Sequence, residues 1–522
     1  MVTPLRHLKF EEELKSHTDP SWVHELITGI TKGVSLGYQG QRCQRISKNL
    51  ISAYSHPHII DDELSKELRL QRIAGPFDTP PVANLQCSGV GVIPKKTGGW
   101  RMIMHLSAPQ DNSINDGIHK EDFTLHYSSI DDAVQMVHRL GCGTLLAKTD
   151  IKSAFRTIPV RVEDRELLGI HWRSKFYVDC CLPFGLRSAP YIFNQYAEAL
   201  EWILQHNYLI FNTIHYLDDF LIAGKPDSDE CKKALQTMLQ VCEQLGFPIA
   251  QTKIEGPTTV ITFLGIHIDT IKMELRLPME KLDDLLSLLK RWLRKRKATK
   301  RELLSLIGKL SFAAKVVPAG RIFLRRLIDL STSAKKLHHH IYLSTSARAD
   351  IQWWQDFLPG WNGVSLMLQE KWETAADLNL STDASGTLGF GAYFQGAWFT
   401  GTWSIAQLPR SIQWKELFAI VAAAATWGNQ WQTKKILVSC DNQAIVQVWQ
   451  AKNPKHPAIT RLCRILFLLA ARNNFNIALK HLPGKINSRA DALSRQQVQH
   501  FKRLTPEAAA DPTTIPAWLT KL

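Results

Sequence analysis

Two adjacent aspartates, Asp218 and Asp219, stand between two apolar runs in the segment 214–223. The pattern predicts a strand, a tight turn and a second strand, with both carboxylates at the tip of the hairpin. Aspartate is also frequent in turns because its side chain bonds the local backbone. The pair alone therefore leaves a catalytic and a purely structural interpretation open.

A third carboxylate, Asp150, ends the apolar strand predicted over 144–150. Placed beside the hairpin, it would bring three negative charges together, and two charges about 4 Å apart repel by about 4 kcal/mol at an effective dielectric constant near 20. Mg²⁺ relieves such repulsion because it binds a few carboxylates together with substrate phosphates. We expect two Mg²⁺ ions, with Mn²⁺ as an alternative, to clamp the attacking 3′-oxygen and the leaving pyrophosphate of a nucleotidyl transfer.

A second acidic set lies in the C-terminal part of the chain. Asp383 follows a predicted strand, Glu416 lies on a predicted helix, Asp441 ends another strand, and Asp491 occupies a short polar segment. Four carboxylates on one edge of a sheet predict a second site for two metal ions, suited to hydrolysis. Taken singly, each of these residues is as well explained as a helix cap, a turn residue or part of a solvated face.

The composition limits which elements and partners can surround these carboxylates. The chain has 522 residues, 45% of them hydrophobic, and a formal net charge of +15, so we expect several domains and a nucleic-acid partner rather than a generally soluble basic protein. Nine cysteines without a CxxC pair predict neither a zinc site nor a disulfide framework. Neither a signal peptide nor a membrane-spanning run is visible, which predicts an intracellular protein of the cytoplasm, the nucleus or both, with no membrane partner.

The spacing of apolar residues divides the chain into regions. Residues 1–85 mix short helical patterns with loops, and β-type runs alternate with helices from there to about residue 269. The predicted strands there include 88–94, 144–150 and 209–215, and the predicted helices are 191–205 and 231–245.

The second half of the chain begins with a helical region, 279–357, and a linker-like stretch, 359–363. From residue 377 the order βββαβαβα indicates a compact α/β domain, and 498–522 predicts a tail. The run 290–301 holds eight lysines and arginines in twelve residues. It would follow a nucleic-acid backbone through salt-sensitive contacts, and a solvated helix face and a nuclear targeting signal are the alternatives.

The motifs around the first carboxylates resemble those of reverse transcriptases. Tyr216-Leu217-Asp218-Asp219 is similar to the family motif, and Asp150 with Phe155 is similar to the aspartate motif that precedes it. The segment 182–190 resembles the loop and helix that lie against template and nucleotide. The segment 263–266 resembles the hairpin that grips the primer end, and all of these pieces occur in family order.

This resemblance implies roles for further residues. Phe155 would lie under the incoming sugar, clash with a ribose 2′-OH and so favour dNTPs. The alternative interpretation is that Phe155 is an ordinary core residue. Lys96 and Arg101 would hold the triphosphate. The alternative for these two residues is an ordinary solvated basic turn. The chain departs from many relatives near His105, which lacks the acidic neighbour that they have. The implied nucleotide contacts are Lys96, Arg101, Ile151, Phe155, Phe184 and Lys253, and the implied primer or template contacts are Gly185, Arg187, Phe263, Leu264 and Gly265.

The second acidic set resembles ribonuclease H, which implies that a metal-activated water cuts the RNA strand of an RNA–DNA hybrid. The matching pieces are Asp383-Ala384-Ser385, Trp414-Lys415-Glu416-Leu417, Asp441-Asn442 and 490–495. Many relatives have a mobile histidine shortly before the last aspartate, where this chain has Leu482-Pro483-Gly484-Lys485. We interpret His481, two residues before that proline, as structural.

These resemblances predict an α+β fold, a right-hand polymerase with fingers, an antiparallel palm and a helical thumb, followed by an α/β ribonuclease H-like domain. The predicted regions are an N-terminal extension (1–85), fingers and palm (86–278), thumb and connection (279–376), the ribonuclease H-like domain (377–497) and a tail (498–522).

The predicted function is RNA- and DNA-directed DNA polymerisation with hybrid cleavage, with two metal ions per site. Its partners would be an RNA template, a DNA primer, RNA–DNA hybrid and dNTPs. The segments 168–172 and 186–190 resemble the corresponding segments of retrotransposons of the tyrosine-recombinase (DIRS) class, with gypsy-type long-terminal-repeat elements as near neighbours. A host-retained, catalytically silent nucleic-acid-binding protein and a polymerase with a merely structural nuclease-like domain are the alternatives, and the intact carboxylates argue against both.

Overall fold

The computed structural model describes residues 3–95, 98–361, 365–366, 372–374, 376–451, 456–481 and 487–522. The chain divides into two compact units, Met1–Leu264 and Gly265–Leu522. Within the described ranges, no helix combines the length and the apolar character that crossing a membrane requires.

The first unit is mixed α/β. Its helices are α1 (His7–Glu13), α2 (Pro20–Lys32), α3 (Ile51–Ser55), α4 (Pro57–Arg69), α5 (Ile130–Leu140), α6 (Ala189–His206) and α7 (Glu230–Leu245). Its strands are β1 (Arg45–Ile46), β2 (Ile73–Phe77), β3 (Gln86–Cys87), β4 (Val90–Pro94), β5 (Trp100–Met104), β6 (Leu145–Asp150), β7 (Gly169–Trp172), β8 (Lys175–Asp179), β9 (Thr213–Tyr216), β10 (Asp219–Gly224), β11 (Glu255–Thr258) and β12 (Val260–Phe263).

The palm-like sheet of this unit has the strand order β11-β6-β10-β9, with antiparallel pairing throughout. Helices α6 and α7 lie within two residues of their predicted bounds because their apolar residues recur at helical spacing. The strand predicted over 209–215 is wrong in its first half. Leu209 has a φ of 57°, which a strand cannot accommodate, so β9 begins only at Thr213.

The segment predicted as an N-terminal extension is part of the first unit's core. Strands β1 and β2 lie at the two edges of a sheet with the order β1-β3-β7-β8-β2. Phe10 of α1 and Ile60 and Leu64 of α4 are buried in the same cluster as Leu200 of α6. Because these apolar side chains cover the sheet and α6, residues 3–85 are structurally inseparable from the strands that follow.

The second unit begins with a largely helical part and ends with a mixed one. Its helices are α8 (Met279–Leu293), α9 (Lys300–Ala313), α10 (Arg325–Thr332), α11 (Thr345–Trp361), α12 (Ile412–Trp427), α13 (Gln443–Ala451), α14 (Pro457–Arg472), α15 (Ser488–Ser494) and α16 (Val498–Leu504). Its strands are β13 (Ile266–Asp269), β14 (Glu274–Arg276), β15 (Lys297–Thr299), β16 (His340–Tyr342), β17 (Ser365–Leu366), β18 (Trp372–Thr374), β19 (Leu380–Ala384), β20 (Gly389–Phe394), β21 (Ala397–Thr402), β22 (Lys435–Cys440) and β23 (Asn476–His481).

Two predictions for the helical part need correction. The linker expected at 359–363 is wrong at its start, because α11 continues to Trp361 with Pro359 inside it. The buried side chains of Trp354 and Leu358 hold this last part of the helix in place; Asn362 and Gly363 lie outside the described residues. The region expected to be purely helical also contains an antiparallel pair, β15 with β16.

The predicted order βββαβαβα is confirmed for the C-terminal part, with α13 as an additional helix before α14. Strands β19, β20 and β21 form an antiparallel meander, and β22 pairs with β23 in parallel. The segment predicted as a tail packs onto the meander instead. Phe501 of α16 is buried against Tyr393 and Trp398. The apolar side chains of this C-terminal segment thus cover a sheet face that would otherwise be exposed.

Candidate active sites

The register of the palm-like sheet brings the first three carboxylates together. Pairing of β6 with β10 sets Asp219 directly opposite Asp150, and pairing of β9 with β10 sets Asp219 opposite Tyr216. Leu217 and Asp218 form the turn between these strands. The amide of Ile151 donates to the carbonyl of Asp218 at 3.0 Å, which holds the turn against the end of β6.

The turn itself is in an uncommon backbone conformation. Leu217 has a φ of 55°, the left-handed region that a side chain with a Cβ disfavours. Hairpins with two-residue turns need positive φ there because it matches the twist of the strands. The register therefore imposes this conformation. It places Asp218 on the turn, whereas Asp219, predicted at the tip as well, is the first residue of β10.

The electrostatics of this cluster favour a divalent cation. Desolvation, reinforced by the charges of Asp218 and Asp150, raises the pKa of Asp219 to about 6, although its side chain keeps an exposed edge. Burial, and then the charge of Asp150, also raises the pKa of Asp218 above its ordinary value. Neighbouring negative charges make it harder for each of these carboxyl groups to ionise. A divalent cation removes this repulsion, and carboxylate oxygens are ligands that Mg²⁺ or Mn²⁺ binds. The residues therefore fit the predicted ions.

One lysine already compensates part of this negative charge. Lys253 Nζ lies 2.5 Å from Asp150 Oδ2, and this hydrogen bond raises the pKa of the Lys253 ammonium. The prediction put Lys253 near a pyrophosphate. The structure places it on a carboxylate of the cluster.

Three of the residues predicted to contact the nucleotide form a continuous row. The half-buried ring of Phe155 lies 5.1 Å from that of Phe184, which is 49% exposed. The guanidinium of Arg101 lies 6.0 Å above the Phe184 ring. Ile151 is fully buried, and its amide donates to the carbonyl of Asp218. Lys96 lies outside the described residues.

The loop predicted to face template and primer is fixed by a residue that the sequence did not indicate. Asn115 donates from Nδ2 to the carbonyl of Gly185 at 2.9 Å and accepts at Oδ1 from the amide of Arg187 at 2.8 Å. Arg187 also donates to the carbonyl of Ile118 at 2.8 Å, while its side chain stays largely exposed. No motif surrounds Asn115, so only its position in the fold shows this role.

The residues of the predicted primer-gripping hairpin lie where the two units meet in sequence. Phe263 ends β12 and is buried. Leu264 and Gly265 follow with φ values of 48° and 76°, the backbone of a tight turn. In the second unit, Lys281 Nζ donates to the carbonyl of Gly265 at 2.9 Å.

The second acidic set is also brought together. Asp383 lies on β19 and Glu416 on α12, both buried, and Asp441 directly follows β22. Ligand atoms of Glu416, Cys440 and Asp441 all lie within 4.8 Å of one another. The hydroxyl of Ser494, on the same helix as Asp491, donates to Asp383 Oδ2 at 2.5 Å.

Burial and the negative charges of this set raise the pKa values of its two buried members, Glu416 and Asp383. Burial, then the charges of Asp383 and Asp441, raises the pKa of Glu416 to about 9. Burial raises the pKa of Asp383 to about 6, opposed by the Ser494 hydrogen bond and reinforced by Asp491 and Asp441. Such a set fits divalent cations with oxygen ligands.

Three neighbours of this set were not predicted as site residues. Ser494 and Arg495 belong to the motif that carries Asp491, and Arg495 Nε donates to Asp491 Oδ1 at 2.8 Å. Cys440, one position before Asp441, had no signal at all. The ring of His481 lies 3.1 Å from the carbonyl oxygen of Asp441, and its structural interpretation stays a prediction. Leu482–Lys485 lie outside the described residues.

The raised pKa of Glu416 predicts how stability depends on pH in the metal-free protein. Between the ordinary value of 4.5 and about 9, the folded state keeps a proton on Glu416 that the unfolded state has released. The free energy of unfolding therefore falls as pH rises through this window, by up to about 1.4 kcal/mol per pH unit.

Thermal unfolding in EDTA between pH 5 and pH 8 checks this expectation, with Glu416→Gln as the comparison. The glutamine variant should show a flatter dependence of Tm on pH than the parent. Equal slopes in both proteins would show that Glu416 has an ordinary pKa in the folded state.

A family of known proteins matches the part of the chain that holds the first of these sites. Residues 93–268 match the family model described as reverse transcriptase (RNA-dependent DNA polymerase). The chain contains a reverse transcriptase domain. Asp150, Asp218, Asp219 and Lys253 all lie within the matched residues.

Two relatives of this chain are the transposon Tf2-3 and Tf2-7 polyproteins of Schizosaccharomyces pombe (strain 972). Each is 24% identical over 417 residues, which cover 77% of this chain. The match spans 28% of the length of each polyprotein. The reverse transcriptase domain is therefore of the kind found in a retrotransposon polyprotein, whereas the tyrosine-recombinase subclass finds no support among these relatives.

A solved structure shares the fold. The foamy viral protease–reverse transcriptase in complex with double-stranded DNA superposes with a TM-score of 0.52 at 16% sequence identity, and covers 92% of this chain and 82% of that one. The prediction of an α+β fold with a right-hand polymerase is thereby confirmed.

Proposed function

We propose that this chain is an RNA- and DNA-directed DNA polymerase that also cuts the RNA strand of RNA–DNA hybrids, and that it serves the replication of a retrotransposon. The observation that carries the proposal is the register that sets Asp219 opposite Asp150, with Asp218 on the adjoining turn. It lies within the residues that match reverse transcriptases. The subclass of element, DIRS or gypsy type, stays a prediction.

The polymerase site uses its residues in distinct ways. Asp150, Asp218 and Asp219 would hold two Mg²⁺ or Mn²⁺ ions, which when bound neutralise the reacting phosphate and lower the pKa of the 3′-hydroxyl. Lys253 would release Asp150 to the metal and donate to the departing pyrophosphate, since its side chain is 60% exposed. The row of Phe155, Phe184 and Arg101 would support the sugar and the triphosphate.

The nuclease site is proposed on the second set of carboxylates. Asp383, Glu416, Asp441 and Asp491 would hold two ions, which when bound supply the charge that activates a water for attack on phosphate. Ser494 would keep the Asp383 carboxylate in one orientation through its hydrogen bond. Arg495 would leave Asp491 when a metal ion arrives, because the pair is exposed and weak.

A nucleic-acid partner is supported by charge. The net charge of +15 favours a polyanion, and the foamy viral relative in fold is described with double-stranded DNA. The basic run 290–301 covers the end of α8, strand β15 and the start of α9 rather than one helix face. Lys295 within it is paired with Glu302 at 2.6 Å, and Lys300 donates to the carbonyl of Ala334 at 2.7 Å. For contacts with a nucleic-acid backbone we propose the exposed basic residues of the run, which are Lys290, Arg291, Arg294, Arg296, Lys297 and Arg301.

Primer extension tests the polymerase proposal directly. The purified chain, an RNA template, a DNA primer, dNTPs and Mg²⁺ should give template-directed products that EDTA prevents. A labelled RNA–DNA hybrid without dNTPs should separately be cut in its RNA strand. A folded protein with neither activity would contradict the proposal and favour a silent nucleic-acid-binding protein.

A Phe155→Val variant should incorporate rNTPs better, because the smaller side chain leaves room for a 2′-hydroxyl. We expect the ratio of kcat/KM for dCTP over CTP to fall by about tenfold or more. The matched control is Phe123→Val, since Phe123 is a half-buried ring packed on Tyr191 of α6 but outside the proposed site. An unchanged ratio in Phe155→Val would rule out the gate.

A further inference from the structure

Arg156, the residue directly after the proposed sugar gate Phe155, is buried between two carboxylates. Its Nε and Nη2 donate to Glu67 Oε2 at 3.0 and 2.7 Å, and its Nη1 donates to the two oxygens of Asp179 at 2.8 and 2.7 Å. The same Nη1 donates to the carbonyl of Cys181 at 3.3 Å. The three charged side chains are only 5–11% exposed.

This arrangement connects three separate parts of the first unit. Glu67 lies on α4, outside the residues that match the reverse transcriptase family. Asp179 ends β8, and Arg156 lies on the single 3₁₀ turn Ala154–Thr157. The guanidinium therefore fixes the distance of that turn from both the helix and the sheet.

Stability alone does not explain a buried triad of this kind. Desolvation of the charges offsets most of their attraction, so well-packed apolar residues of similar volume are often as stable. What a planar guanidinium with five donors does supply is a fixed geometry. The best-supported use of buried charge is to select one arrangement of the chain over others.

The turn that Arg156 fixes also carries Phe155. The amide of Arg156 donates to the carbonyl of Ser153 at 2.8 Å, and the hydroxyl of Thr157 donates to the carbonyl of Ala154 at 2.6 Å. Because the turn is closed by these bonds, it moves as one piece. Fixing Arg156 on its buried side sets the direction of the Phe155 ring, which contacts Phe184 at 5.1 Å and Phe193 at 5.7 Å.

We propose that Glu67, Arg156 and Asp179 are positioning residues for the Phe155 gate, so that helix α4 takes part in the discrimination of deoxyribonucleotides from ribonucleotides. The inference rests on the proposed function, because it concerns the residues that hold the proposed gate, Phe155, in place. It extends the nucleotide site to a helix that no reverse transcriptase motif of this chain includes.

Two variants test the inference by different routes. Glu67→Gln keeps an oxygen acceptor and the side-chain shape but removes one negative charge, and Arg156→Lys keeps the charge but cannot reach both carboxylates. We expect the ratio of kcat/KM for dCTP over CTP to fall by about tenfold in each, mainly through a lower KM for CTP, as a displaced gate admits the 2′-hydroxyl.

The matched control is Arg173→Gln. It breaks the exposed ion pair of Arg173 with Asp61, 2.7 Å long, which also ties α4 to the end of β7. We expect its discrimination ratio to equal that of the parent. Circular dichroism would show whether Arg156→Lys folds. If it does not, the discrimination ratio of Glu67→Gln alone tests the inference.

The outcomes separate the inference from the proposed function. A parent that fails to extend a primer overturns the proposed function and the inference together. A parent that extends normally, with a Phe155→Val variant that loses discrimination and a folded Glu67→Gln variant that keeps it, overturns the inference alone. Equal losses of dCTP and CTP incorporation in Glu67→Gln would show a merely structural triad and overturn it as well.

Discussion

An Asp218→Asn variant is expected to lose templated primer extension by about 10²–10³-fold while it retains cleavage of RNA–DNA hybrids. The amide removes one negative charge from the cluster of Asp150, Asp218 and Asp219, so a divalent cation is bound more weakly and less well placed. Asparagine keeps the size of aspartate and tolerates the turn. The fold of the hairpin should therefore be unchanged.

Rates of single-nucleotide incorporation on an RNA template measure this effect. The matched control is Asp227→Asn, since Asp227 is an exposed turn residue with a φ of 53°, which asparagine accepts equally well. Extension by the control should equal that of the parent. Loss of both extension and hybrid cleavage in a folded Asp218→Asn protein would contradict two independent sites.

The reverse result is expected for Asp441→Asn, which should lose hybrid cleavage by a similar factor and keep primer extension. Asp441 lies with Glu416 in the cluster of ligand atoms, and its charge contributes to the raised pKa of Glu416. Its loss removes a proposed metal ligand and lets the pKa of Glu416 fall toward its ordinary value. Cleavage of a hybrid labelled on its RNA strand is the measurement.

The control for this second variant is Asp511→Asn, because Asp511 is exposed and lies outside the acidic set. Full cleavage by the control would show that the loss is specific to the site. Wild-type cleavage by Asp441→Asn would exclude Asp441 as a ligand and would favour a merely structural nuclease-like domain.

The local parts of both sites could be predicted from the sequence. The apolar runs around Asp218 and Asp219 are short and alternate with a turn, so the hairpin follows from periodicity. Helices α6 and α7 likewise follow from residues recurring at helical spacing. Periodicity does not show which strands pair with each other. From the sequence, only the order of the motifs linked Asp150 to the hairpin, and the register of β6 and β10 is a property of the fold.

The contacts that the sequence did not reveal are long-range ones. Ser494 and Asp383 are 111 positions apart, and Glu67 and Arg156 are 89 apart. A serine or an arginine has many possible partners at such distances, and local pattern does not choose among them. The role of residues 3–85 was missed for the same reason, since their apolar side chains are buried only by elements that come much later in the chain.

The most direct test of two separate sites in one chain is a single reaction with two labels. A DNA primer labelled at its 5′ end is annealed to an RNA template that carries a second label, and parent, Asp218→Asn and Asp441→Asn proteins are followed in both channels with Mg²⁺ and dNTPs. The account predicts a longer primer and shortened RNA with the parent, shortened RNA alone with Asp218→Asn, and a longer primer alone with Asp441→Asn. A parent protein that is folded but leaves the primer unextended would contradict it.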